Sequence, residues 1–250
     1  MRLVLPAIAD KLGFKDAINE SNIHIAHALL ALLIITILGI IFKRYMRNID
    51  ERIVPAKKPS LVGFIEIIAE AILRLMESII GKDARQFYPL IGALFFYILI
   101  SNLIGLIPGF IAATDNINTN VACSLTVFVY YNYVGIKKNG IKNYLKEFMG
   151  PVIWLAPLMF VIELISHVVR PVSLSVRLFG NMIGDHMVLQ MFSSIIPLLL
   201  PIPFLFLGLF VALIQAFVFT LLSIIYISLA MGTHGHEDTH DEQPKYKEES

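Results

Sequence analysis

The sequence predicts an all-α integral membrane protein: five membrane helices plus one amphipathic surface helix, with the last two membrane helices long and strongly tilted. Three observations carry this. Of the 250 residues, 57% are apolar and only 16% charged, where soluble domains run near 45–50% and ~25%. Mean hydropathy is +0.74. The charges fall between apolar runs close to the ~20 residues that a helix needs to cross a ~30 Å hydrocarbon core. A net charge of +1 provides no global field for nucleic acid or an acidic substrate. The single cysteine, Cys123, excludes an internal disulfide framework and a cysteine zinc cluster, and reads as a small packing residue. No phosphate-binding loop of the Walker type, no repeat of fixed period and no cofactor motif is present.

The elements follow in order. Residues 1–24 form an outer, periplasmic segment whose apolar stretch is too short for a secretory signal, and the first membrane helix covers 25–42. The interval 43–60 carries Lys43, Arg44, Arg47, Arg52, Lys57 and Lys58. Across 60–81, Glu66, Glu70, Arg74 and Glu77 recur every three to four positions on an otherwise apolar helix. That is one polar stripe, expected on the inner membrane surface, with a soluble helix packed on the inner loops as the alternative. A membrane hairpin follows over 88–136, with spans at 88–108 and 121–135. Its loop, 109–120, has no Lys or Arg and a single charge, Asp115; the next interval, 137–146, carries Lys137, Lys138, Lys142 and Lys146.

Residues 150–231 are almost continuously apolar and are punctuated by Pro171, Pro197, Pro201 and Pro203. They read as a short helical piece at 151–160 and two long helices, 160–196 and 203–231, joined by a Pro-rich turn. Thirty-odd residues at ~1.5 Å each exceed the bilayer thickness, so these helices must tilt. The basic intervals place the N-terminus outside and the C-terminus inside. The tail, 232–250, is acidic and reads as solvated. His234, His236 and His240 in it read as part of that tail rather than as a metal site.

Charges inside a membrane helix cost about 2.5–3.5 kcal/mol each even on the lenient insertion scale, so they are functional candidates unless they lie at an end. Residues 161–190 hold Glu163, His167, Arg170, Arg177, Asn181, Asp185 and His186. With Arg177 at zero and about 100° per residue, Arg170 falls near about +20°, Glu163 and Asn181 near about +40°, and Asp185 near about +80°. Ser166 and Ser173 lie within about 40° on the other side, and His186 points the opposite way. The helix therefore has a polar ladder, with one titratable group on the other face towards its outer end.

This arrangement suggests two wet half-paths that do not meet, with a permanently charged guanidinium between them. Glu, Asp and His can relay protons; Arg cannot do so cheaply. The alternative for Arg177 is an internal ion pair with Asp185 or Glu163. Arg170, before Pro171, reads as a snorkelling or helix-start residue, and His167 as a satisfied interior histidine. In the last helix Gln215 stands out among Thr220, Ser223, Tyr226 and Ser228, which otherwise read as interhelical contacts.

At these residues the sequence resembles a known family. Arg170-Pro-Val-Ser-Leu-Ser-Val-Arg177-Leu-Phe-Gly-Asn181-Met is similar to the signature of subunit a of the F-type ATP synthase membrane sector. So are Leu213-Ile-Gln215-Ala-Phe and Tyr226-Ile-Ser-Leu-Ala. The order of features agrees over essentially the whole chain. The resemblance implies a proton-translocating stator whose two long helices lean against a c-ring, with peripheral stalk b subunits and the remaining synthase subunits as further partners. It implies a lipid bilayer, a bacterial inner membrane and no nucleic acid. It further implies that Arg177 faces the essential carboxylate of each ring subunit, with Gln215 beside it.

Glu163 and Ser166 match the inner half-channel, Asn181 and His186 the outer one, and Tyr226 a polar position on the last helix. Family members often carry His or an acid seven residues before the position of Gln215, as partner to the group at His186; here that residue is Gly208. Either water fills the gap or Asp185 takes over. A structural anchor and a stand-alone proton-coupled carrier are the competing functions.

Overall fold

A computed structural model describes residues 23–46, 61–107, 110–149, 156–195 and 201–232, all of them helix, short 3-10 turns or connecting chain. Six helices are present among them: α1 (Ile23–Met46), α2 (Leu61–Ile80), α3 (Ala84–Gly105), α4 (Ile117–Met149), α5 (Ala156–Ile195) and α6 (Pro201–Ala230). The N-terminal segment, most of the basic interval after α1, the Pro-rich turn and the acidic tail with its histidines lie outside the described residues.

Three described stretches are long and apolar enough to cross a membrane: Gly63–Gly105, Pro157–Leu189 and Ile202–Ala230. Ile25–Ile40 is a shorter apolar helix. The first stretch joins the expected surface helix to the second expected span, because only the 3-10 turn Gly81–Asp83 separates α2 from α3. Gly81 supplies the positive φ of 82° at this junction. α2 keeps its stripe exposed, with Arg74 Nη2 donating to Glu70 Oε1 at 2.7 Å. It buries Ile72, Met76 and Ile80 in the common core with α3 and α6.

One boundary differs clearly from the sequence reading. The third expected span continues as helix far past residue 135, to Met149, through an interval expected to be loop. Helix formation is local hydrogen bonding, so the lysines that end an apolar run do not end the helix. The direction changes at Gly140, whose φ of 74° and ψ of 154° lie outside the helical region. Pro171 sits inside an unbroken α5, within the helix expected over 160–196, and the Ser175 Oγ–H donates one turn back to the Pro171 carbonyl at 2.9 Å.

The core is a seam of apolar side chains running from α2 and α3 through α4 to α5 and α6, with Phe87, Phe95, Val127, Leu178 and Phe219 at its centre. Cys123 is buried within it, as expected of a packing residue. α5 packs chiefly on α4, and α6 lies between α3 and α5. Ser124 and Ser175 share a hydroxyl hydrogen bond of 2.5 Å across the α4–α5 contact. The 3-10 turn Ala113–Asp115 between α3 and α4 touches α1, α3, α4 and α5, and so ties one end of the bundle together.

Candidate functional site

α5 buries one edge, including His167, Leu174, Leu178 and Met182, and exposes another that includes Val169, Val172 and Val176. The polar ladder lies along the border between them. Arg177 and Asn181 are exposed on it, while Glu163, Ser166, Arg170 and Asp185 are half-buried. Gly180 and Gly184, one and two turns beyond Arg177, have no atom near enough to touch an added methyl group. The helix surface beside the guanidinium is thus open, and it runs on to the exposed apolar edge where Val172 and Val176 are 54% and 55% exposed. Among the described residues no acid pairs with Arg177: the ion pair weighed for it with Glu163 is made by Arg170 instead.

Arg170 Nη2 donates to Glu163 Oε1 at 3.1 Å, and its guanidinium lies 5.6 Å from the centre of the Tyr226 ring. Arg170 is therefore neither a helix start nor a snorkelling end. It sits within a continuous helix, two turns from its acid, and both side chains border a cavity of about 150 Å³. Tyr131, Tyr144 and His167 complete the polar wall of that cavity. His167 is buried and satisfied, as expected: its Nε2 lies 2.8 Å from Asn132 Oδ1, which also accepts from the Tyr144 hydroxyl at 2.8 Å. With Asn132 Oδ1 as acceptor, His167 donates from Nε2, leaving Nδ1 for the Tyr131 hydroxyl at 3.4 Å.

Towards the other end of α5, Asn181 Nδ2 donates to Gln215 Oε1 on α6 at 2.5 Å, which joins the two signature segments directly. Gln215 is buried, and its Nε2 has no acceptor among the described residues. His186 points away from Arg177, as the helical angle requires, and its Nδ1 lies 3.3 Å from Asp115 Oδ2. Its Nε2 lies 3.4 Å from the carbonyl of Gly105. Asp185 Oδ2 is buried without a donor among the described residues.

The missing partner at Gly208 has a packing counterpart. A Cβ there would stand 2.7 Å from Leu106 Cδ2, so α6 and the end of α3 approach through the bare glycine. An acid does stand beside His186, but it comes from the turn before α4. Asp115 is the residue that the sequence reading left without a role; its signal was being the lone charge of an otherwise uncharged loop.

The match to known proteins agrees with the arrangement. The family model described as ATP synthase A chain matches residues 25–228. The chain belongs to this family. A subunit a of the ATP synthase from Bdellovibrio bacteriovorus is 48% identical over 187 residues, 75% of this chain and 81% of that protein. The subunit a of Trichlorobacter lovleyi is 44% identical over 226 residues, 90% of this chain and 94% of that one. That of Geobacter sulfurreducens is 50% identical over 165 residues, 66% and 72%. The matched span takes in Arg177, the Asn181–Gln215 contact and the Asp115–His186 pair, and it ends beyond Tyr226.

Proposed function

We propose that this chain is the proton-translocating stator of a rotary ATP synthase, set in a bacterial inner membrane with its N-terminus outside and its C-terminus inside. In this reading α1, α3, α4, α5 and α6 cross the bilayer, α2 lies at its inner surface, and α5 and α6 lean against a c-ring. Peripheral stalk b subunits and the remaining synthase subunits complete the complex. The observation that carries the reading is Arg177, exposed beside an apolar face with no acid paired to it among the described residues. An unpaired cation in hydrocarbon is costly, so its counter-charge must come from outside the chain. A carboxylate on a neighbouring ring supplies it.

A proton arriving from outside passes Asp115, His186 and Asp185 and reaches the region of Asn181 and Gln215. There it neutralises a ring carboxylate, which then enters lipid at far lower cost than the charged form. After nearly a full turn the carboxyl group reaches the inner passage near Glu163, Ser166 and Tyr226 and loses the proton. The carboxylate is drawn past Arg177, and the guanidinium, which does not deprotonate, keeps protons from leaking directly between the two passages. Each proton crossing 100 mV releases about 2.3 kcal/mol, so several must combine for one ATP, consistent with a ring geared to a separate catalytic head.

The test is Arg177→Ala in inverted membrane vesicles. ATP-driven proton pumping falls to background while the complex is recovered intact; normal pumping by the assembled variant would refute the assignment.

A further inference from the structure

The turn that carries Asp115 is held by an unusual concentration of buried polar side chains. Thr114 Oγ1 donates to Asn102 Oδ1 of α3 at 2.6 Å, and Asn120 Nδ2 of α4 donates to the Thr114 carbonyl at 2.7 Å. All three residues are at most 1% exposed. The backbone around them is tied as well. The Asp115 amide donates to the Ala112 carbonyl at 3.0 Å, and Gly105 approaches Ala112 so closely that an added Cβ would lie 2.6 Å from the Ala112 Cβ. Asn116 then caps α4, its Oδ1 accepting from the Asn118 amide at 2.9 Å.

Packing alone does not call for this. Asn102 Nδ2 and Asn120 Oδ1 have no partner among the described residues, so the bracket keeps two amides half-satisfied where apolar groups would bury at lower cost. What the bracket does determine is register. Thr114 adjoins Asp115, and fixing its side chain to α3 and its carbonyl to α4 leaves Asp115 one place to stand, against His186 on α5.

We propose that Thr114, clamped between Asn102 and Asn120, is the positioning residue of the outer passage: it sets the Asp115–His186 contact through which protons enter. This rests on the outer passage of the preceding section. The clamp moves no proton; it holds the acid and the histidine close enough for a proton to pass between them.

The test is a double-mutant cycle read as passive proton flux through membrane sectors stripped of their catalytic head, normalised to the amount of subunit present. Thr114→Val removes the clamping hydroxyl at nearly constant volume and lowers flux about fivefold or more, the scale of one lost hydrogen bond. Thr114→Ser, which keeps the donor, restores it. Asp115→Asn lowers flux about tenfold, and in that background Thr114→Val costs less than about twofold more, because no carboxylate is left to place. Thr126→Val is the control: its hydroxyl bonds the Ala122 carbonyl one turn back, and flux is unchanged. If Thr114→Val slows flux by the same factor with and without Asp115, or Thr114→Ser fails to rescue, the positioning role is overturned while the passage stands. If Asp115→Asn conducts normally, the outer passage itself is wrong, and the clamp with it.

Discussion

At the level of single residues, two glycines let other parts of the chain close in on the end of α3, Gly105 towards the turn before α4 and Gly208 from α6. Gly105 and Gly208 are both buried, and a Cβ on either would collide, but with different neighbours. At Gly208 the obstacle is the far methyl of Leu106, which can rotate away; at Gly105 it is the Cβ of Ala112, with that residue's backbone N and Cα at 3.1 and 3.2 Å. We therefore expect Gly208→Ala to leave stability and flux nearly unchanged. Gly105→Ala should cost about 1–3 kcal/mol, the usual range for overpacking, and displace the turn that presents Asp115. Thermal unfolding of the purified sector measures the first effect, and the normalised flux measures the second. The same scale shows why the sequence revealed only half of the outer site. The helical angle fixed which way His186 points, since it follows from chain geometry alone. The acid that meets it lies 71 positions earlier, and no local pattern connects a loop aspartate to a helix formed that much later.

Among the elements, α4 departs furthest from its sequence reading. Its apolar part was legible, and its continuation was not, because hydropathy reports where a helix meets lipid rather than where its hydrogen bonds stop. Beyond Gly140 the helix turns back, so that the Tyr144 hydroxyl reaches Asn132 and the Tyr144 ring occupies the space left by Gly135. An added Cβ at Gly135 would meet that ring at 2.6 Å. Asn139 Nδ2 anchors the bend to the Ala230 carbonyl of α6 at 3.2 Å. A φ of 74° with ψ of 154° is essentially restricted to glycine. Gly140→Ala should therefore cost about 1–3 kcal/mol and free the following segment. The expected readouts are a lower unfolding temperature and faster proteolysis after residue 140. An unchanged cleavage rate would mean that the bend is not what holds Tyr144 against the cavity.

At the scale of the whole molecule, the long α5 and α6 and their signature residues were plain in the sequence, because a periodic polar ladder in an oily helix stands out against its background. Less visible was the asymmetry of its satisfaction. Among the described residues Glu163, His167, Asn181 and His186 all find partners, whereas Arg177 does not. Val176 on α5 and Phe206 and Phe210 on α6 are also more than half exposed. A stand-alone carrier would need its central cation matched internally in at least one state, since it has no other molecule to supply the charge. A stator does not, because its counter-charge arrives on a rotor. The two readings therefore part on reconstitution. The chain inserted alone into proteoliposomes should give no proton flux above empty vesicles under an imposed potential, and flux should appear when the complete membrane sector is inserted. Conduction by the isolated chain would show that Arg177 is balanced from within, and the function would then pass to the carrier.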